Sequence, residues 1–272
     1  MNQELKSMLL QMLAWFHEFC QTQGLRYYVL GGTMLGAVRH QGFIPWDDDI
    51  DVGMPREDYL RLEQLLQHRH HDRYRLETPS SAEGDFFYPF AKLYDTRTTL
   101  VENTRYQIRR GIYLDIFPLD GAGTSEQDAR RYFAAVKWRR QLLLAMTTGI
   151  RQGRHWGKNL SVFLLRQVPN WMVNKKKLLR SIDTISSGRP FDDCAWVGNL
   201  MGAWMERELM PREVLGTPKV YCFEGLAVYG PEDPEGYLTK VYGDWRKLPP
   251  EEQRVSCHDY VYLDLHRSYL DV

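Results

Sequence analysis

Ile44-Pro45-Trp46-Asp47-Asp48-Asp49-Ile50-Asp51-Val52 packs four carboxylates into five residues and flanks them with apolar side chains instead of lysines. On an extended strand successive side chains alternate faces, so this spacing predicts Asp47, Asp49 and Asp51 on one side and Asp48, Ile50 and Val52 on the other. At about 4 Å two carboxylates repel by roughly 1 kcal/mol in water and by about 4 kcal/mol at the effective dielectric of a protein surface. Against a typical stability of about 5–15 kcal/mol that repulsion is large. A hard divalent cation removes it, and Mg²⁺ takes carboxylate oxygens together with water and substrate phosphate, so one or two such ions are expected here. A solvated acidic loop is the ordinary reading of a charge run. The apolar neighbours and the alternation weigh against it. Asp48, on the other face, is expected to tolerate replacement.

Working upstream, Tyr27-Tyr28-Val29-Leu30 is β-prone and is cut off by Gly31-Gly32, after which Thr33 to about Arg39 reads as a short helix. Glycines between a strand and a helix let backbone N–H groups and the Thr33 hydroxyl approach a phosphate. Downstream, Pro55 opens a helix with apolar Tyr59, Leu62, Leu65 and Leu66. Phe86 to Leu93 and Gly111 to Phe117 read as further strands, the second closed by Pro118 and an Asp120-Gly121 turn. Asp115 is the only charge within that second strand. A buried carboxylate needs a partner: a nearby metal keeps it ionised, and a structural hydrogen bond is the alternative. Arg39 and Lys92 are the cationic candidates for gripping a diphosphate.

The rest of the chain frames this centre. Leu5, Met8, Leu9, Met12, Phe16 and Phe19 form one stripe of an amphipathic helix ended near Gly24. Helix-like spacing runs from Glu126 to Ile150 and from Lys158 to Ser187 with a break at Pro169, and β character returns from Val220 to Tyr229. The expectation is an α+β fold, a mixed sheet flanked by helices, in one domain spanning residues 1–272: a core over 1–122, a helical insertion over 123–190 and a C-terminal α/β completion over 191–272.

Lys plus Arg number 35 and Asp plus Glu number 35, so no global field draws the protein onto a polyanion and nucleic acid is excluded as a partner. Cys20, Cys194, Cys222 and Cys257 are scattered and read as reduced packing thiols. His68, His70 and His71 read as a solvated helix end. Neither a signal peptide nor an apolar run of transmembrane length is seen, which reads as cytoplasmic.

Taken together, Gly31-Gly32-Thr33-Met34-Leu35-Gly36-Ala37-Val38-Arg39-His40, then Gly42-Phe43-Ile44-Pro45-Trp46-Asp47-Asp48-Asp49-Ile50-Asp51-Val52-Gly53-Met54, resembles the LicD family. The likeness continues in Tyr113-Leu114-Asp115-Ile116-Phe117-Pro118-Leu119-Asp120-Gly121 and in Tyr242-Gly243-Asp244-Trp245 with Leu248-Pro249-Pro250. The resemblance implies a nucleotidyltransferase-like fold and a phosphotransferase, related to the fukutins, that moves phosphocholine or a similar phospho-alcohol from CDP-choline or another CDP-alcohol onto a glycan hydroxyl, releasing CMP. By motif match Asp47, Asp49, Asp51 and Asp115 take the metal positions, with Asp49, Asp51 and Asp115 catalytic. Gly31, Gly32 and Thr33 take the nucleotide-phosphate loop. Acceptors in the family include lipid-linked ones, and Phe163, Leu164, Trp171 and Met172 beside Lys175, Lys176 and Lys177 have the composition of a peripheral contact with the inner face of a membrane. Two other readings stand beside it: a true nucleotidylyltransferase releasing pyrophosphate, and a non-catalytic nucleotide- or glycan-binding module.

Overall fold

A computed structural model describes residues 2–68, 71–81, 86–148, 174–256, 258 and 260–271, with the side chain of His68 left out. The first helix, α1 (Gln3–Gln23), is capped at its start by the Asn2 side chain and at its end by Gly24 in the left-handed region. It lays Leu5, Leu9, Met12, Leu13 and Phe16 into the core, the stripe expected from their spacing. Next come β1 (Tyr28–Val29), α2 (Gly31–His40), β2 (Asp51–Pro55) and α3 (Arg56–His68), followed by β3 (Tyr74–Glu77), β4 (Ala91–Asp95), β5 (Thr99–Glu102), β6 (Arg109–Arg110) and β7 (Tyr113–Gly123). After these stand α4 (Glu126–Thr147), α5 (Lys175–Ser186), β8 (Trp196–Gly198), β9 (Leu209–Pro211), α6 (Arg212–Leu215), β10 (Lys219–Phe223), β11 (Leu226–Gly230), α7 (Pro234–Tyr242) and β12 (Tyr260–Asp264).

The main sheet runs β1-β2-β7-β4-β3, with β8 on the far half of β7 and β9 beyond it. Only the β2–β7 pair is parallel, so the sheet is mixed and the fold α+β, as expected. A β10–β11 hairpin and a small β12-β5-β6 sheet stand apart from it. One core lies between α1 and the main sheet, where Phe16, Tyr27, Tyr28, Val52 and Leu114 are fully shielded. A second gathers Phe133, Val136, Leu179 and Ile182 from α4 and α5 around Phe117 and Leu209.

Three sequence expectations change. The strand expected from Asp47 begins only at Asp51: Pro45 and Trp46 turn the chain and the Asp47 amide donates back to the Ile44 carbonyl at 2.9 Å. The strand expected over 86–93 is Ala91–Asp95, because Pro89 cannot donate to a ladder. The strand expected to stop at Pro118 runs on to Gly123. Pro118 sits between the stretch paired with β4, which ends at Ile116, and the stretch paired with β8, which begins at Asp120, a gap that tolerates a missing N–H.

Asp120 is therefore no turn residue. It is fully buried, and both its oxygens accept from Arg56, Nε at 2.7 Å and Nη2 at 2.8 Å. His71 accepts from the Arg73 and Tyr74 amides and stacks on Tyr74, while His70 lies outside the described residues. Cys20 and Cys194 are buried free thiols, Cys222 is exposed, and Cys257 lies outside the described residues, as do Phe163, Leu164, Trp171 and Met172. Among the described residues no helix is long and apolar enough to cross a membrane.

Candidate functional site

Strand register sets the centre of the site. Asp51 of β2 stands opposite Asp115 of β7, and Asp115 stands opposite Lys92 of β4. Residues opposite one another in a ladder share a face, so two carboxylates and an ammonium meet in a row. The Lys92 Nζ lies 2.8 Å from Asp115 Oδ1 and 4.0 Å from Glu102 Oε1, over the Tyr113 ring at 3.2 Å and the Tyr88 ring at 4.3 Å. At 1 % exposure its charge is spent on these neighbours, not held out toward solvent. Burial pushes the Asp115 carboxyl up to about 6, with Lys92 pulling the other way.

Gly31 and Gly32 bring the loop acids to the same row. A Cβ on Gly32 would lie 2.3 Å from Asp47 Oδ2, and one on Gly31 would lie 3.2 Å from Asp51 Oδ2. Gly31 also has φ +51°, which disfavours a side chain. Its N–H donates to Tyr237 Oη at 2.9 Å, so what this glycine contributes is room for a carboxylate. Thr33 is buried, and its Oγ1 accepts from the Asp51 amide at 2.9 Å, which clips the start of β2 to α2. Burial, and after it the neighbouring Asp49, push the Asp47 carboxyl up to about 8. Burial, with Asp49 and Asp115 adding to it, raises Asp51 as well. Asp47 reaches Gly32 and Asp51 reaches Gly31, so these two acids are placed by a loop folded onto two glycines and not by the strand alternation expected.

Asp48 is not idle. Its Oδ1 accepts from Ser256 Oγ at 2.7 Å and lies 3.0 Å from His258 Nδ1, while His258 Nε2 lies 3.4 Å from Asp49 Oδ2. His258 thus bridges two acids of the loop from a segment 210 residues away. Sequence reading missed it because nothing local to a lone histidine announces a partner so distant; the weak signal was four adjacent acids without a nearby base. Asp48, Asp49, His258, Glu102, Tyr113 and Tyr260 line a cleft enclosing about 70 Å³ over a floor of leucines. Arg39 is placed otherwise than a phosphate grip requires: Nη1 donates to the Trp245 carbonyl at 2.9 Å and Nε to His40 Nε2 at 3.0 Å, which anchors the turn after α7. Trp46 is partly buried against the core with the Arg254 guanidinium 5.7 Å from its ring.

The donor set of the four aspartates is all oxygen, and among the described residues Lys92, His258 and Lys6 stand on its flanks against the surplus negative charge. That chemistry fits a hard divalent cation better than a soft one. Among the described residues no three acid, imidazole or thiolate groups already surround one point.

Residues 24–148 match the family model described as LicD/FKTN/FKRP, nucleotidyltransferase domain. The lipopolysaccharide cholinephosphotransferase LicD of Haemophilus influenzae is 28% identical over 253 residues, 92% of each chain. Ribitol 5-phosphate transferase FKRP of Homo sapiens is 40% identical over 70 residues, 25% of this chain and 14% of that protein. An uncharacterized Rickettsia prowazekii protein, RP689, is 47% identical over 58 residues, 21% of this chain and 22% of its own. The matched model contains every residue of the acid row and the two glycines beneath it.

Proposed function

Residues 24–148 belong to the LicD/FKTN/FKRP nucleotidyltransferase family, and from that premise we propose that the chain is a phosphotransferase that moves a phospho-alcohol, phosphocholine or a near relative, from a CDP-alcohol to a hydroxyl of a glycan. One observation carries the reading: Asp47 and Asp51 pressed onto Gly32 and Gly31 beside Asp115, a cluster whose mutual repulsion a binding module has no use for. The names of the two similar transferases, one moving phosphocholine and one ribitol 5-phosphate, supply the class of group transferred.

In the proposed reaction the acceptor oxygen bonds to the phosphorus that carries the alcohol, the P–O bond to CMP breaks, and the hydroxyl proton leaves to a carboxylate. Asp115 is assigned that proton as the carboxylate at the centre of the row, opposite Asp51 and beside Lys92. Asp47, Asp49, Asp51 and Asp115 are the residues that would hold Mg²⁺, which when bound supplies positive charge to the diphosphate and the leaving phosphate. Lys92 keeps Asp115 from being fully neutralised by burial. The N–H groups of Gly32 and Thr33, in the first turn of α2, have no acceptor within the helix by position and would be the donors offered to a phosphate. Positioning of this kind is most of what phosphoryl transfer asks of a protein.

The test is incubation with Mg²⁺ and a panel of CDP-alcohols, reading CMP release. Metal-dependent CMP formation is expected. Pyrophosphate from an NTP instead would make the chain a nucleotidylyltransferase, and nucleotide binding without turnover would make it a module.

A further inference from the structure

We infer that Trp204, with Tyr242 at its edge, is the wall against which the base of the nucleotide donor stacks; the inference rests on the function proposed above. Tyr242 Oη and Asp51 Oδ2 flank the same point, lying 3.9 Å and 3.2 Å from where a Cβ on Gly31 would stand. The Tyr242 hydroxyl therefore reaches the acid row while its ring packs against the core, and the Trp204 ring meets that ring edge-on with centroids 4.9 Å apart. Trp204 is 41 % exposed, a large apolar plane left open one side chain away from the acids.

The turn that presents Trp204 is built to hold it there. Its amide donates to Glu208 Oε1 at 2.9 Å, and Glu208 is a buried carboxylate pushed up to about 7 by that burial. Gly202 packs so closely on Glu208 that a Cβ would overlap it, and the Arg140 guanidinium donates to the Gly202 carbonyl. Met205 takes a left-handed backbone at φ 59°, a conformation that costs a non-glycine residue about 1 kcal/mol or more. A buried acid and a strained methionine are poor value for a surface loop but explain a fixed platform. The exposed Arg207 guanidinium stands 5.9 Å from the indole, and Arg207 Nη1 donates to the Val241 carbonyl at 3.4 Å, tying the turn to the end of α7.

A nucleoside diphosphate has a planar base at one end and phosphates at the other. With the phosphates at Gly32 and the acids, the base falls on the Tyr242 side, and base–aromatic stacking is tolerant of which base is present. The cleft lined by His258 and Glu102 lies on the Asp49 side of the row, which leaves it to the acceptor, since attacking and leaving oxygens lie roughly in line.

The test compares Trp204→Leu and Trp204→Phe with the wild-type chain, each titrated in Mg²⁺ with CMP and, separately, with inorganic pyrophosphate, a probe without a base. Trp204→Leu is expected to weaken CMP binding about 5- to 150-fold, the range for losing one stacked ring. It should leave pyrophosphate binding within about twofold, and Trp204→Phe should keep most of the CMP affinity. The exposed Trp138 on α4 serves as control, with Trp138→Leu unchanged for both probes. CMP binding undiminished in Trp204→Leu overturns the stacking wall alone, and equal loss of both probes overturns it in favour of general damage to the site. A wild-type chain that binds pyrophosphate but not CMP overturns the wall and the nucleotide-donor function together.

Discussion

Two aspartates five positions apart on β7 meet opposite fates. Asp120 is fully buried and is answered by a bidentate Arg56, whose remaining nitrogen reaches Asp183 on α5 at 2.8 Å. Asp115 shares one lysine with Glu102 and faces Asp51 across the ladder, with Asp47 and Asp49 close behind. The first group of charges is closed: each carboxylate has its own donor in fixed geometry, and it joins the main sheet to the helical layer. The second is open, with more negative charge than the protein neutralises. A surplus of like charge held against repulsion marks where a ligand is meant to complete the balance.

The most severe way to break this contrast is to remove an acid from the open group. Asp49→Asn and Asp51→Asn are each expected to lower CMP release about 10²–10³-fold or more while melting at the wild-type temperature or above it, since a repelling charge has gone. Turnover unchanged in both would end the proposed mechanism. The converse change, Arg56→Ala, strands Asp120 and should cost about 3–5 kcal/mol of stability with activity per folded molecule little altered. Denaturant unfolding alongside initial rates decides it, and a loss of rate without loss of stability would erase the distinction drawn here.

A gentler probe is Asp48→Asn, which weakens the hold on His258. It should raise the Mg²⁺ concentration for half-maximal activity about tenfold, as losses around ligating carboxylates do, with little change in melting. A last probe is pH. In metal-free protein Asp47 and Asp115 are held above their unfolded values, near 8 and 6, so between about pH 4 and 8 the folded state binds more protons. Stability should then fall as pH rises through that window. His258, raised to about 10 by Asp48 and Asp49 against its burial, adds a loss of the same sign above its unfolded value. Added Mg²⁺ should flatten the slope in a series of thermal melts, and an equal slope with and without it would count against the acids as its holders.

The same contrast explains what the sequence disclosed. Periodicity announced α1, α3 and the β10–β11 region because their apolar spacing is set locally, and the Asp-rich loop beside Gly31-Gly32 stood out because its composition is unusual. Asp120 was misread since Asp-Gly is a turn signal whenever no distant arginine intervenes, and Arg56 lies 64 residues away. Lys92 drew notice as a free cation; only its neighbours across the sheet reveal that it is spent. The strand alternation proposed for Asp47, Asp49 and Asp51 is not what the chain does: Asp47 packs on Gly32, Asp51 starts β2 beside Gly31 and Thr33, and Asp48 and Asp49 share His258.

The contact between the acid loop and His258 also sets a timetable. Ribosomes add about 5–20 residues per second, so a partner 210 residues further along emerges about 10–40 s after the acids themselves. Throughout that interval the nascent chain holds a crowded set of carboxylates with Asp48 and Asp49 lacking their histidine. The loop therefore takes its finished shape only after nearly all of the fold is made, and a half-synthesised chain carries the chemistry's residues without the means to aim them.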